Sequence, residues 1–248
     1  MLNKNAIVEV EIVDLTHEGA GVAKVDGFVF FVDNALPGEV IKMRVLKLKK
    51  NIGFGKVEEY VTLSPNRNQD IDATYLRSGI ADFGHMTYEE QLRFKQIKVE
   101  RLMGKLCRPE LIVGMDDPVG YRYKVTAVYD FKGGKSLCGV YQSATGGVID
   151  VKSCAADNPK ADSIARQILK TANAMKISLW SSYGGQGFLR YAMIRIAKGT
   201  GEIMCVIGGT DNDFPSKKHF TAELMKKCPE ITSLVFTVCK PDRIASGT

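Results

Sequence analysis

Alternating apolar and polar residues dominate the first 60 residues and predict a small β domain. In AIVEVEIVDL, Val8, Val10 and Ile12 fall on one side of an extended chain. VIKMRVLKLKK alternates again from Val40, with Ile41, Met43, Val45 and then Leu46 or Leu48 facing inward. GVAKV, FVFFV and GFGKVEEYV supply three more short runs between turn sequences. Five strands in about 55 residues suit a closed barrel of the OB type, which commonly binds single-stranded nucleic acid.

Positive charge is concentrated on the strand that begins at Val40. Between Val40 and Val57 there are six cations and no acid, whereas Met1–Glu39 carries two lysines against seven acids. The net charge of +6 favours an anionic partner without establishing one. The six cations are Lys42, Arg44, Lys47, Lys49, Lys50 and Lys56.

Two interpretations of this basic strand are open. Cations on the outward positions of a strand can follow nucleic-acid phosphates, and Phe54 between Gly53 and Gly55 can offer a surface on which bases stack. Alternatively, lysines on an edge strand suppress aggregation. If all six cations contacted phosphates of a single strand, the slope of log K against log salt would be about −4.

A polar linker at 61–76 leads to a segment, Asp72–Gly84, without a helix or strand period. Thr87 has the position of a helix N-cap, with Glu90 as its capping-box partner, so we predict a helix from Tyr88 to about Leu106. The expected apolar side of this helix is Leu92, Ile97, Val99, Leu102, Met103 and Leu106.

From Val119 the pattern becomes that of an α+β domain with a mixed or antiparallel sheet. The expected elements are antiparallel strands at 120–131, 135–142 and 147–151, a helix at 158–175, a hairpin through Gly199-Thr200-Gly201, a helix at 216–227 and a final buried strand from Ile231. We therefore predict a barrel at 1–65, a connector with an amphipathic helix at 66–118, and a central domain at 119–248.

The sequence contains no recognisable catalytic constellation. Gly133-Gly134-Lys135-Ser136 resembles the end of a phosphate-binding loop, but Tyr129 stands where that motif needs its first glycine. The six cysteines form no C-x-x-C pair and are expected to be reduced, mostly buried thiols. With no apolar run of about 18 residues and no leader pattern, we expect a cytoplasmic protein without a membrane partner.

Several short segments, taken in order, resemble the TRAM-domain-containing RNA (uracil-5-)-methyltransferases. The segments are GHMTYEEQLRFK, GYRYK, GVIDVKSC, GFLRYAMIR, TGEIMCVI and PEITSL, and the similarity runs along nearly the whole chain. The resemblance implies a TRAM barrel to about residue 65, followed by a central domain that positions folded RNA. It also implies S-adenosylmethionine as methyl donor and C5 of a uridine in ribosomal or transfer RNA as the target.

The chain departs from this family in its cysteines. Many members hold an iron–sulfur cluster with four cysteines, of which Cys154 corresponds to the fourth. Asp72–Gly84 contains no cysteine, and Ser78 and Ala81 stand roughly where two would be. One thiolate cannot hold a cluster, so we expect none. Hydrogen bonds and apolar contacts of Leu76, Ile80 and Phe83 are expected to hold this segment instead.

In the family the methyltransferase domain follows the PEITSL strand, and its nucleophilic cysteine and general base have no counterpart here. We therefore expect a truncated, RNA-binding portion that binds no cofactor and does not methylate RNA by itself, its catalytic domain being supplied in cis or in trans. The expected RNA contacts are the six cations named above, with Arg122 and Lys124 of GYRYK on the central-domain side.

Two other functions remain open. The chain could be a stand-alone RNA-binding module with no role in methylation. A small-molecule enzyme built on the central sheet would need a pocket with convergent polar groups, which a sequence does not reveal.

Overall fold

The structure, a computed structural model, describes residues 2–142, 146–152 and 154–239. Contacts between residues divide the chain into two units. The first comprises residues 1–76 and 80–116, and the second comprises residues 77–79 and 117–248. Within the described ranges, no helix is both long enough and apolar enough to span a membrane.

The first unit contains the predicted closed five-stranded barrel, which is confirmed. Its strands are β1 (Ile7–Leu15), β2 (Gly21–Val25), β3 (Phe28–Asp33), β4 (Val40–Lys49) and β5 (Ile52–Thr62). They follow the order β1-β2-β3-β5-β4, and β1 pairs with β4 to close the barrel. The β3–β5 pair is parallel and the other neighbours are antiparallel.

Alternate residues of these strands form the barrel core. Ile12, Phe30, Ile41 and Met43 are fully buried. A Cβ atom at Gly53 would lie 2.1 Å from the ring of Phe30, and one at Gly55 would lie 2.3 Å from the Met43 sulfur. These two positions therefore need glycine to make room for core side chains.

A β-bulge between Val45 and Lys47 settles which residue follows Val45 in the inward series. The register of β4 against β5 shifts at this point. Leu48 then packs against the core, while Leu46 is 41% exposed. Of the two residues that the alternation left open, Leu48 is the inward one.

The connector contains a short helix that the sequence pattern did not predict, α1 (Ala73–Ser78). Further along, the Phe83 ring lies 5.2 Å from that of Phe94 and occupies the space beside Gly19, where a Cβ atom would come within 2.4 Å. Leu76 and Ile80 are half-buried, whereas Tyr75 and Met86 are buried. Phe83 thus packs this segment against the turn between β1 and β2.

The second helix, α2 (Tyr88–Met103), begins where Thr87 predicts, because the Thr87 hydroxyl accepts a hydrogen bond from the Glu90 amide at 3.3 Å. The reciprocal half of the predicted capping box is wrong. The Glu90 carboxylate instead accepts from the Arg93 guanidinium at 2.6 and 2.7 Å, while the Thr87 amide donates to the Asn66 carbonyl.

The predicted apolar side of α2 does not form a buried face. Leu102 is 70% exposed, and Val99 and Met103 are also exposed. At about 100° per residue, Ile97 lies some 140° from Leu92 around the helix, so the six residues never formed one stripe. Instead, the side with Phe94, Ile97 and Arg101 faces the end of β1 across a cleft.

The second unit is a six-stranded sheet with the order β11-β10-β9-β6-β7-β8. Among the described strands the β10–β11 pair is parallel and the other neighbouring pairs are antiparallel, so the predicted mixed sheet is confirmed. The elements are β6 (Lys124–Lys132), β7 (Lys135–Tyr141), β8 (Val148–Asp150), α3 (Pro159–Ala174), β9 (Leu189–Ile196), β10 (Ile203–Gly209), α4 (Lys217–Lys227) and β11 (Ile231–Val238).

Helices α3 and α4 provide side chains to the core of this unit. Ile164 and Ile168 of α3 and Phe220 and Leu224 of α4 are fully buried with the facing residues of the central strands. The predicted N-cap of α3 is confirmed, since the Asn158 side chain accepts from the Lys160 amide at 3.0 Å. The last strand was predicted to be buried, which is wrong. As an edge strand, β11 has a neighbour on one side only, and its Val235 is 41% exposed.

Candidate nucleic-acid interface

The six cations predicted from the sequence all lie on β4, on β5 or in the turn between them. Their side chains point outward because the intervening residues Ile41, Met43 and Val45 fill the barrel core. The structure divides these cations into two groups that the sequence did not distinguish.

The first group forms ion pairs with acids of β5. Lys42 Nζ lies 2.7 Å from a Glu59 carboxylate oxygen, and Arg44 Nε and Lys56 Nζ lie 2.6 and 2.8 Å from Glu58 Oε1. Hydrogen bonds from Arg44 and Lys56 lower the pKa of Glu58 to about 2, and the hydrogen bond with Glu59 raises the pKa of Lys42. We call Lys42, Arg44 and Lys56 the paired cations.

The second group, Lys47, Lys49 and Lys50, lies at the other end of the β4–β5 hairpin. All three side chains are exposed, and among the described residues none has a carboxylate within 4 Å. Opposite Lys47, Leu48 and Lys49 on β5 stand Phe54, Gly53 and Ile52, which carry no charge. No carboxylate of the described residues therefore offsets their positive charge at close range, and we call Lys47, Lys49 and Lys50 the free cations.

Two aromatic side chains adjoin the free cations. Phe54 is the cross-strand partner of both Lys47 on β4 and Phe31 on β3, and the two phenyl rings lie 5.9 Å apart. Lys49 Nζ lies 5.9 Å from the centre of the Phe54 ring, which is 38% exposed. Together, Phe31, Phe54, Lys47, Lys49 and Lys50 form a lysine–phenylalanine patch with both a π face and positive charge, as single-stranded nucleic-acid sites require.

A buried ion pair, which the sequence gave no signal for, holds the linker against the barrel. The fully buried Glu39 carboxylate accepts from the Leu36 amide at 2.8 Å, from the Ser64 amide at 3.2 Å and from Arg67 Nη2 at 2.7 Å. The Arg67 guanidinium also stacks 4.3 Å from the Tyr60 ring. The Leu36 contact is local, but Ser64 and Arg67 are 25 and 28 residues from Glu39, so the folded chain is needed to bring them to this carboxylate.

His85, which interacts electrostatically with the charges of Arg67 and Glu39, is 1% exposed. Burial and the positive charge of Arg67 lower the pKa of His85 to about 4. The imidazole is therefore neutral at physiological pH, and His85 acts as a packing residue of the connector.

A cleft of about 370 Å³ lies in the first unit between the end of β1 and α2. Its lining is largely apolar, with Val13, Leu15, Phe94 and Ile97. Two of its polar side chains are already engaged, since Arg93 binds Glu90 and Lys98 Nζ donates to the His17 carbonyl at 2.8 Å. Because this cleft lies in the first unit, it does not test the small-molecule alternative, which concerns the central sheet of the second unit.

In the second unit, the two predicted cations of GYRYK differ from each other. Arg122 Nη1 lies 4.0 Å from an Asp157 carboxylate oxygen, and its guanidinium lies 5.9 Å from the Tyr121 ring. Lys124 begins β6 and is exposed, without an acid within 4 Å in the described part of the chain. Only Lys124 is free for an anion.

The cysteines of the chain do not fit an iron–sulfur cluster. Such a cluster needs four thiolate ligands, and Asp72–Gly84 supplies none to accompany Cys154. Across the described residues, no three His, Cys, Asp or Glu side chains come together as metal ligands. Cys154 is buried and its thiol hydrogen-bonds Asp157.

Comparison with known proteins agrees with the barrel. Residues 2–57 match the family model described as the TRAM domain. Proteins named as uncharacterized RNA methyltransferases are similar along the chain: one from Streptococcus agalactiae is 39% identical over 95% of this chain, and one from Halalkalibacterium halodurans is 35% identical over 96%. The chain spans about half the length of these relatives, 53% in both cases.

A solved structure shares the fold. The tRNA (uracil-54, C5)-methyltransferase of Pyrococcus abyssi, in complex with S-adenosyl-L-homocysteine, superposes with a TM-score of 0.71 over 96% of this chain and 53% of its own. At 21% sequence identity, this likeness concerns the fold alone.

Proposed function

We propose that this chain is the RNA-binding portion of an S-adenosylmethionine-dependent RNA methyltransferase that acts on C5 of uridine in ribosomal or transfer RNA. The observation that carries the proposal is the lysine–phenylalanine patch, where three free cations adjoin two aromatic rings on the surface of the TRAM barrel. The names of the relatives and the substrate named for the Pyrococcus abyssi enzyme support the reaction class.

The patch would bind an unpaired stretch of RNA. Lys47, Lys49 and Lys50 attract the phosphates, and the Phe54 ring offers a stacking surface to a base, as in other single-stranded nucleic-acid sites. Base-modifying enzymes must take the target nucleotide out of its stack, which costs a few kcal/mol. Binding energy gained at the barrel would help to offset that cost.

We assign no methyl-transfer chemistry to residues of this chain. Uridine C5 methylation in the family needs a cysteine thiolate that adds to the uracil ring. Burial raises the pKa of Cys138 and Cys205 to about 12, which disfavours their thiolates. S-adenosylmethionine is proposed as the methyl donor of the whole protein, and no residue described above is assigned to it.

Two measurements on the same samples test this function. Fluorescence anisotropy follows binding of uridine-containing single-stranded RNA, and tritium transfer from labelled S-adenosylmethionine follows methylation. We expect RNA binding by this chain alone, and methyl transfer only when the C-terminal half of the Streptococcus agalactiae relative is added or fused. Failure to bind RNA would contradict the proposal, as would methyl transfer by this chain alone.

The same assay separates the stand-alone RNA-binding module from the proposed function. That alternative is favoured if the chain binds RNA but the added catalytic half never transfers a methyl group. Separate arms with a ribosomal RNA fragment and with a tRNA transcript distinguish the two substrate classes.

A further inference from the structure

Two cations face each other directly in the middle of the second unit's sheet. Lys124 of β6 and Arg195 of β9 are Cα partners in the antiparallel ladder, and both are exposed. Directly opposite residues have Cβ atoms about 4.5–5.5 Å apart on the same face of a sheet. The ammonium and the guanidinium therefore rise side by side from rigid backbone positions.

This arrangement costs stability in the free protein, because like charges directly opposite each other repel. In the described part of the chain, neither Lys124 nor Arg195 has a carboxylate within 4 Å. The nearest acid in the sheet register is Glu202, two residues before Met204, the β10 partner of Arg195. Its carboxylate accepts from the Thr200 hydroxyl at 2.8 Å instead.

The two cations stand on the face of the sheet that the helices leave open. Val125 and Ile194, their neighbours in the strands, point to the other face and are buried in the core with α3. On the open face, Met204 adjoins Arg195, and Met193 lies one row further along opposite Thr126. Both methionines are half-buried, so they add a polarisable apolar surface beside the charges.

We propose that Lys124 and Arg195 form a phosphate-binding pair that grips an RNA phosphodiester, with the adjoining ribose or base against Met193 and Met204. One anion between the two cations replaces their mutual repulsion with two charge-assisted hydrogen bonds. The proposal rests on the proposed RNA-binding function and adds a second contact point, on the sheet, to the patch on the barrel. Arg195 is thereby assigned a role in binding.

The test uses the full chain and single-stranded RNA, with the dissociation constant measured by anisotropy at several salt concentrations. Replacing both residues, Lys124→Gln with Arg195→Gln, should reduce the slope of log K against log salt by about 0.7, the value for one phosphate of a single strand. Thermal unfolding without RNA should shift upward by about 1–3 °C, because the repulsion is removed. A purely structural role for these residues predicts the opposite sign.

The matched control is Lys132→Gln with Lys135→Gln. These lysines are also exposed cross-strand partners, but they flank the Gly133-Gly134 turn at the end of the β6–β7 hairpin. The control also removes two positive charges, and it should leave the salt slope within error of the wild type. Equal slopes for the two double variants would overturn the phosphate pair while leaving RNA binding by the barrel intact.

A phosphate arm separates this inference from the proposed function. If the wild-type chain binds no RNA, the proposed function fails, and inorganic phosphate then tests the pair alone. A rise in melting temperature with added phosphate that is lost in the Lys124/Arg195 variant, but kept in the control variant, supports an anion site. The same rise in both variants contradicts it.

Discussion

The two ends of the β4–β5 hairpin carry the same kind of residue in different electrostatic states. At one end the paired cations, Lys42 and Arg44 of β4 and Lys56 of β5, lie 2.6 to 2.8 Å from the carboxylate oxygens of Glu58 or Glu59. At the other end Lys47 and Lys49 stand opposite Phe54 and Ile52, which carry no charge. In sequence these cations form one basic run. We propose that a carboxylate within ion-pair distance, and not the density of charge along the chain, determines which of them binds RNA.

A buried ion pair, Glu39–Arg67, extends this comparison from the surface to the interior. Replacing Arg67 with methionine should lower the free energy of unfolding by about 3–5 kcal/mol, because the buried Glu39 carboxylate loses its counter-charge. Chemical denaturation measures this effect. Arg44→Met breaks a solvent-accessible pair as a control and should destabilise the protein much less than Arg67→Met, because water screens such pairs. Similar losses in the two variants would contradict the distinction between buried and exposed pairs.

His85 makes the same buried cluster sensitive to pH. Between about pH 6.5 and pH 4, His85 is protonated in the unfolded chain but remains neutral in the folded protein. Its contribution to stability is therefore complete above pH 6.5 and is lost as pH falls toward 4, by about 3 kcal/mol in total. Between pH 4.5 and 7, the free energy of unfolding should change less with pH in the His85→Gln variant than in the wild type. His17→Gln, which removes an exposed histidine outside this buried cluster, is the matched control.

The free cations should dominate RNA affinity. Replacing Lys47, Lys49 and Lys50 with glutamine removes three phosphate contacts, which should weaken binding about 100-fold at 0.1 M salt. Folding should be unaffected, because these side chains are exposed and form no ion pair within the described residues. Anisotropy titrations measure the affinity, and far-ultraviolet circular dichroism checks the fold. A loss below threefold would remove the patch as the main RNA contact.

Phe54 should contribute a smaller share through stacking. Phe54→Ala should weaken RNA binding by about 1–3 kcal/mol, the usual cost of removing one base–aromatic contact, and should leave the salt slope unchanged. Phe54→Tyr keeps the π face and should bind like the wild type. If Phe54→Ala and Phe54→Tyr weaken binding equally, the ring does not stack on a base.

The smallest effect is expected where the charges are already matched. Removing both members of one exposed pair, with Lys42→Gln and Glu59→Gln, keeps the net charge and should leave the melting temperature nearly unchanged. RNA affinity should stay within twofold of the wild type. A larger loss would show that Lys42 contacts RNA in spite of its acid partner.

The local pattern of the sequence predicts much of this fold. Period-two alternation predicts the barrel strands, and Thr87 and Asn158 predict the helix starts. These predictions succeed because each one depends only on residues that are close together in the sequence. The errors involve information from distant residues. The six residues expected on the apolar side of α2 do not share one stripe at 100° per residue, but which side packs depends on the contact of Phe94 and Ile97 with the end of β1. The edge position of β11 depends on the whole sheet order.

The candidate site was predictable in position but not in detail. The basic run places the candidate site on the barrel surface, and Phe54 was singled out beside its flanking glycines. The acids that pair with half of the cations stand at 58 and 59, just outside the acid-free stretch. The β4–β5 register places Glu59 opposite Lys42 and brings Glu58 within 2.6 Å of Arg44. Arg195 was missed because it is 71 positions from Lys124, its partner in the ladder.

The most direct test of this account compares two triple variants that remove equal charge from the same hairpin. One replaces the free cations, Lys47, Lys49 and Lys50, with glutamine, and the other replaces the paired cations, Lys42, Arg44 and Lys56. We predict that the salt slope of RNA binding falls by about 2 in the first variant and by less than about 0.7 in the second. Equal reductions in the two variants would contradict the claim that ion pairing with Glu58 and Glu59 decides which cations bind RNA.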